Sequence, residues 1–283
     1  MNYRQILNKA SNELQLKNLK SPKLDSELIL AKTLNVRREE ILLNLNKKLD
    51  KSDLNKFNYY LNMRSNHKPI AHIVNFKYFW KYKFFVDRNV LIPRPETELL
   101  IEKILKILPS SSNKNILDIG TGSGCILLSI LKELPFARGL GIDISSKAIQ
   151  IAKKNALNLD LFHRAKFRIC DLKKFNIGKY NLVVSNPPYI ALRDIKNLSK
   201  DIINYEPKIA LNGGLDGLDL VKKVIYKSNY LLKRNGLLAL EIGNNQYLKV
   251  SEILTRNGYR ELSKVYDYNR NVRCIISTKV RFF

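Results

Sequence analysis

Asn186-Pro187-Pro188-Tyr189 is the segment of this 283-residue sequence whose residue types most directly suggest chemistry. It follows Leu182-Val183-Val184-Ser185, an apolar, β-branched run that reads as a strand. Two consecutive prolines fix φ and carry no N–H, so the chain leaves that strand as a stiff, extended segment. The carboxamide oxygen of Asn186 and the carbonyl of Pro187 can then each accept an N–H, which suits a planar NH2 group. Tyr189 offers a ring to lay against a flat amide or base, worth about 0.5–1.5 kcal/mol beyond burial. An amide nitrogen delocalises its lone pair and is a poor nucleophile. Accepting both of its N–H bonds raises electron density on nitrogen and aims the lone pair. The pattern therefore suits attack by a planar nitrogen on an activated carbon, with position and electrostatics supplied by the protein and no general base in evidence. A Pro-rich turn after a strand is the plain alternative.

A second constellation lies upstream. Gly120-Thr121-Gly122-Ser123-Gly124 directly follows the strand-like Ile116-Leu117-Asp118-Ile119 and opens a helix at Cys125. Glycines at a strand-to-helix turn let a ligand approach the main chain. A dinucleotide fingerprint would place its third glycine at position 125, and here it arrives one residue early, which weakens a nicotinamide reading. Asp143 ends the next strand, where a carboxylate can accept from both hydroxyls of a ribose. Its alternative is to cap the helix that starts near Ser145. Asp171, at the end of the third strand, is placed to meet an adenine amino group or simply to begin a turn.

These groups need a scaffold that gathers strand ends. Short apolar strands at Ile116–Ile119, Leu140–Ile142, Lys166–Ile169, Leu182–Val184 and Leu237–Ile242 alternate with amphipathic helices. That predicts an α/β fold with a mostly parallel sheet covered on both faces. Tyr259–Leu262 and Val272–Ser277 lack a helix between them and are expected to close the sheet as an antiparallel hairpin. Over residues 3–66, apolar residues recur at helical spacing, with Pro22 suited to a first turn and Ser52 to an N-cap, so a small all-α bundle precedes the sheet. The aromatic stretch from Ile70 to Val90, around Lys81-Tyr82-Lys83, reads as a connecting hairpin. The expected division is a helical domain at 1–69, a β-hairpin connector at 70–92 and a ligand-binding domain at 93–283.

Composition narrows the class. With 45% hydrophobic residues the chain can bury a substantial interior, and no run approaches the roughly 18 apolar residues of a membrane helix. No secretory signal is visible at Met1-Asn2-Tyr3-Arg4-Gln5, so a cytoplasmic location is expected. Cys125, Cys170 and Cys274 stand far apart and form no ligand pattern with His67, His72 and His163, so no metal or disulfide is expected. The net charge of +25 fits a nucleic-acid or ribosomal partner. It fits equally a compositional drift, because the excess is mostly Lys, is spread along the chain and accompanies abundant Asn and Ile.

Taken together, these residues resemble the bacterial peptide-chain release factor glutamine methyltransferases. The resemblance rests on Asp118 to Cys125 and Ser185 to Ile190, and on Leu91-Ile92-Pro93-Arg94-Pro95-Glu96-Thr97-Glu98. Tyr205-Glu206-Pro207, Gly213-Gly214-Leu215-Asp216-Gly217 and Glu241-Ile242-Gly243 add to it. It covers nearly the whole chain, the N-terminal helices least specifically. It implies a seven-stranded, Rossmann-like class I methyltransferase domain, S-adenosylmethionine as methyl donor and a small helical domain that helps to hold the release factor. The implied acceptor is the glutamine of the factor's Gly-Gly-Gln loop. By motif, Gly120, Thr121, Gly122, Ser123, Gly124, Asp143, Asp171, Leu172 and Asn186 would contact the donor. Asn186, Pro187, Pro188 and Tyr189 would hold the glutamine, with Asn186, Pro187 and Tyr189 as the catalytic group. Where the family often has an aromatic residue this chain has Leu172, which removes ring stacking and leaves an apolar side chain able to cover adenine. Arg94 and Glu98 either line the site or serve as a surface cation and a first-turn acid of a helix.

Three other readings stay open. One is a glutamine methyltransferase of a large-subunit ribosomal protein, against which the Ile92-to-Glu98 wording speaks. Another is an adenine amino methyltransferase of DNA or RNA, which would flip its base onto Tyr189 and suits the charge but lacks a separate base-reading module. The third is a non-catalytic, basic ribosome- or RNA-binding protein, which needs only the charge. A monomer is expected.

Overall fold

The computed structural model describes residues 1–111 and 113–280. The chain divides into two compact units, residues 1–76 with 199–205 and residues 77–198 with 206–283.

The first unit is helical. Helices α1 (Tyr3–Leu16), α2 (Pro22–Leu34), α3 (Arg38–Leu43), α4 (Lys51–Ser65) and α5 (Ile70–Val74) follow one another. Ile6, Leu7, Ala10 and Leu14 of α1 bury one stripe against Ile29, Leu30, Ile41 and Phe57. Asn2 opens α1 through a capping box with Gln5, and Pro22 occupies the first turn of α2 as expected. The cap of α4 is Asp50, which accepts from the Asp53 N–H, and not Ser52; a carboxylate three residues before that N–H outcompetes the hydroxyl now inside the helix. Buried Asp25 receives the Arg64 guanidinium at 2.6 Å. Burial pushes the Asp25 carboxyl up, and the Arg64 partner pulls it back.

The expected hairpin is shorter than 70–90. Pro69 starts α5, Asn75 ends it in the left-handed region at φ 62°, and only then come β1 (Phe76–Phe79) and β2 (Tyr82–Phe85). The apolar Ile70-Ala71-His72-Ile73-Val74 looked extended by composition but is one buried helical turn and a little more.

In the second unit α6 (Pro95–Ile107) precedes β3 (Asn115–Ile119), α7 (Cys125–Glu133), β4 (Arg138–Asp143), α8 (Ser146–Asn158), β5 (Ala165–Ile169) and β6 (Tyr180–Ser185). After α9 (Lys200–Tyr205), which groups with the first unit, come α10 (Asp219–Leu231), β7 (Leu232–Glu241), α11 (Tyr247–Arg256), β8 (Tyr259–Tyr266) and β9 (Val272–Lys279). Seven strands of the described residues form one sheet in the order β5-β4-β3-β6-β7-β9-β8. The first five are parallel and β9 runs antiparallel to both of its neighbours. Alternate strand residues feed two apolar layers, as a period of two requires. Ile116, Leu182, Val184, Leu237 and Ala239 pack on one side with α6 and α7, and Leu117, Ile119, Val183, Leu238 and Leu240 on the other with α10 and α11. Strands buried on both faces read as continuous apolar runs, which is why they were legible in the sequence. Connections leave β3 toward β4 on one side and return to β6 on the other, so the order reverses beside β3 and a crevice opens at its C-terminal end.

Candidate active site

That crevice is a cavity of about 510 Å3. Gly120, Thr121, Gly122 and Ser123 line it from the end of β3, Asp143 from β4, Asp171 and Leu172 from after β5, and Asn186 and Pro188 from after β6. The volume lies in the range of small-molecule sites. Gly120, at φ +73°, has nothing within 4 Å of where a side chain would begin, so its main chain is bare toward a ligand. Gly124 belongs to the scaffold instead. It caps α7 at φ +80°, and a Cβ there would press on Leu128 and Ala152 at 3.1 and 3.3 Å.

The glycine turn is held from beneath. The Gly120 and Thr121 N–H groups both donate to the Ile142 carbonyl, and the Gly122 N–H donates to Asp143 Oδ2 at 2.9 Å. Asp143 Oδ1 accepts from the Ser145 N–H, while Ser145 itself caps α8 by accepting from Ala148. Asp143 thus ties two loops without being the helix cap, and burial raises its carboxyl despite these N–H donors. Asn155, fully buried in α8, donates to the Ser123 carbonyl and bonds both the N–H and the carbonyl of Phe85 on the hairpin. Asp118, buried under the turn, takes the Thr121 hydroxyl, and burial pushes it up to about 7. Asp171 accepts from the Lys173 N–H, and Leu172 joins the apolar layer of Leu117 and Ile119 while also facing the cavity.

The tetrapeptide is held just as closely. The Ser185 hydroxyl bonds the Ile119 carbonyl at 2.7 Å and locks β6 to β3 immediately before it. Asn186 Nδ2 donates to Thr97 Oγ1 at 3.3 Å, and the Thr97 hydroxyl donates to Glu241 Oε2 at 2.5 Å. The Tyr189 hydroxyl donates to Glu241 Oε1 at 3.2 Å and accepts from Arg273 Nη2 at 3.0 Å. Burial raises the phenol to about 12 and also raises the Glu241 carboxyl, which Thr97, Arg273 and Tyr189 partly offset. Pro187 and Tyr189 are not among the residues lining the cavity. Beyond the tetrapeptide, Gln246 Nε2 donates to the Tyr189 carbonyl, and Ile190 and Leu192 pair with Leu211, Gly213 and Gly214.

Residues 5–74 match the PrmC N-terminal domain, residues 95–215 the Methyltransferase small domain and residues 158–280 the Eco57I restriction-modification methylase. The release factor glutamine methyltransferase of Caulobacter vibrioides is 38% identical over 271 residues, 95% of this chain and 94% of that protein. The chain belongs to the release factor glutamine methyltransferases. The member from Clostridium acetobutylicum is 37% identical over 258 residues, 90% of each chain. A methyltransferase from Pyrococcus furiosus superposes with a TM-score of 0.52 at 15% identity, over 70% of this chain and 89% of its own, a likeness of fold.

In this member of the release factor glutamine methyltransferases, the motif residues before α6 take different parts. Arg94 lines the cavity and bonds the buried Glu206 carboxylate at 2.6 Å, which also accepts the Ile92 N–H. Glu98 sits in the first turn of α6 and accepts the Trp80 N–H at 2.8 Å, a tie to the hairpin. Thr97 and Glu241 were visible only as parts of motifs, without a role. Arg273, Gln246 and Asn155 carried no signal. For Glu241 one existed: an acid closing the run Leu237-Leu238-Ala239-Leu240, where a buried charge demands partners. No helix among the described residues is long and apolar enough to cross a membrane, and no group of His, Cys, Asp or Glu among them could hold a metal.

Proposed function

We propose that this protein transfers the methyl group of S-adenosylmethionine to the side-chain amide nitrogen of the glutamine in the Gly-Gly-Gln loop of peptide-chain release factors. Its family membership supports the reaction and the substrate class. The observation that carries the reading is the Asn186 carboxamide on the cavity wall: its Nδ2 is committed to Thr97, which leaves Oδ1 to accept an N–H from an acceptor amide.

In this reading the bare main chain at Gly120, with Thr121, Gly122 and Ser123, receives the donor, and Gly124 keeps their turn in shape. Asp143 retains lone pairs for the ribose hydroxyls after serving Gly122 and Ser145. Asp171 and Leu172 bound the adenine end, Leu172 covering its face. When bound, the donor presents an electrophilic methyl carbon on a sulfonium. Asn186 Oδ1 and the Pro187 carbonyl take the two amide N–H bonds, Pro188 keeps the segment stiff, and Tyr189 supplies its ring beside the glutamine. The amide nitrogen bonds the methyl carbon, the C–S electron pair stays on sulfur, and the nitrogen then sheds one proton to solvent. The helical domain helps to hold the factor, and the enzyme acts as a cytoplasmic monomer that needs no nucleic acid.

The test is transfer of labelled methyl from S-adenosylmethionine to a purified release factor, beside the same factor with Gly-Gly-Ala in its loop and a free oligonucleotide. Labelling confined to the Gly-Gly-Gln factor, and lost with Asn186→Ala, is the expected result. Label on the oligonucleotide with none on the factor overturns the proposal.

A further inference from the structure

We propose that Thr97 and Glu241 are positioning residues that fix the polarity of the Asn186 carboxamide, so that its oxygen and not its NH2 group faces the acceptor amide. The inference rests on the function proposed above and deepens it.

An Asn side chain has two nearly isosteric ends, one accepting and one donating, and rotation by half a turn exchanges them. Only the accepting end can receive an N–H from the substrate. Something must therefore forbid the flipped state. Thr97 has one hydroxyl proton, and 2.5 Å from its oxygen lies Glu241 Oε2. With that proton given to the carboxylate, Thr97 can only accept on its other side, and the group it meets there is Asn186 Nδ2. The flipped amide would set its oxygen against the lone pairs of Thr97. Thr97 lines the cavity but is almost wholly buried, as is Glu241, so little solvent reaches the face of Thr97 that meets Asn186 to satisfy the wrong arrangement.

The same carboxylate receives a second chain of donors. Arg273 donates to Tyr189, and Tyr189 donates to Glu241. Both chains of donors end on one acid, with the Arg273 guanidinium 3.5 Å from it as its cation and its Nη1 turned to Asn244 Oδ1. Residues 186 and 189, the two ends of the tetrapeptide, thus hang from Glu241, which lies at the end of β7. Thr97 reaches it from the first turn of α6, where its own N–H is used by Arg94. Neither Thr97 nor Glu241 needs to touch the substrate for this.

The measurement compares Thr97→Val, Thr97→Ser and Glu241→Gln with the wild-type chain, full length, on a Gly-Gly-Gln release factor. Thr97→Val is isosteric and removes the acceptor. It should lower kcat on the order of ten- to a hundredfold, while S-adenosylmethionine affinity by calorimetry stays within about twofold. Thr97→Ser, which keeps the hydroxyl, should restore most of the rate. Glu241→Gln can donate to Thr97 and so lets it donate onward, and should fall with Thr97→Val. A merely structural role would not change the following readout: a factor carrying Gly-Gly-Glu should inhibit Thr97→Val more tightly, relative to its KM for Gly-Gly-Gln, than it inhibits the wild type. The freed amide can turn its NH2 group to a carboxylate. Wild-type kcat in Thr97→Val, or loss of rate without the shift toward Gly-Gly-Glu, overturns the inference even if Glu241→Gln fails to fold. Absence of transfer by the wild-type chain instead overturns the proposed function, and the inference with it.

Discussion

Asn155 makes three hydrogen bonds with one buried side chain, and removing it should both destabilise the fold and loosen the glycine turn proposed to receive the donor. Its Oδ1 accepts the Phe85 N–H at 2.7 Å, and its Nδ2 donates to the Phe85 carbonyl at 3.0 Å and to the Ser123 carbonyl at 2.9 Å. Asn155→Ala leaves three main-chain groups without these partners, at about 1 kcal/mol each, or about 3 kcal/mol together. For a unit of 150–250 residues this corresponds to a fall in Tm of about 6–12 °C. Asn155→Asp should be worse than Ala: it keeps the acceptor for Phe85 N–H but sets a carboxylate oxygen against two carbonyls in a buried place. Thermal melts followed by circular dichroism, with and without S-adenosylmethionine, measure the first effect. Calorimetric titration measures the second, expected as a donor affinity weaker by about fivefold, since the Ser123 carbonyl is no longer tethered. A Tm within about 2 °C of wild type for Asn155→Ala, or an Asp variant more stable than the Ala variant, would refute this account of how the hairpin and the glycine turn are joined.

Asp118 predicts a pH dependence of stability. Burial raises its carboxyl from 3.8 to about 7 in the folded chain. The folded state therefore holds this proton more tightly, and the group's contribution to stability falls as pH rises from about 4 to about 7, by on the order of 3–4 kcal/mol. Asp118→Asn should lose this slope, so that Tm curves from pH 5 to 8 converge at the acid end and part at the basic end; parallel curves would contradict it. Asp143→Ala removes the acceptor of both Gly122 and Ser145, and should weaken donor binding by about tenfold or more in calorimetry, with helix content unchanged because Ser145 still caps α8. Tyr189→Phe breaks the link between Arg273 and Glu241, which lie close enough to pair directly, so Tm should drop by only about 2–4 °C and donor affinity should hold.

What was legible in the sequence is what local chemistry determines. The apolar strands, the glycine turn, Asp143 at a strand end and the rigid Asn186 to Tyr189 segment each announce themselves within a few residues, and the fold brings Gly120, Asp143, Asp171 and Asn186 to one cavity. The partners that orient them were not legible. Asn186 and Thr97 are 89 residues apart and Tyr189 and Arg273 are 84 apart, so only the fold makes them neighbours, Thr97 from helix α6 and Arg273 from strand β9. Gly124 illustrates a subtler limit: its place in the motif suggested ligand contact, and its backbone angle and packing give it the work of starting α7. Ile70 to Val74 shows the opposite error, since four apolar residues around His72 fit a strand or a helical turn and only Pro69 and Asn75 at the ends decide.

Strand β9 enters the sheet between β7 and β8, although β8 comes earlier in the chain. During synthesis, then, β8 has nowhere to pair until residues 272–279 have emerged, and β7 waits as an apolar edge. At about 5–20 residues per second, the roughly 40 residues from Glu241 to Lys279 take about 2–8 s. Through that interval Glu241 lacks the guanidinium of Arg273, and the edge of β7 is open to pairing with other chains. The glycine turn after β3, with its supports on β4 and α8, can form well before this. The order of biosynthesis therefore completes the segment here proposed for the donor first, and the network around Glu241, proposed to hold the acceptor, only once β9 has paired with β7.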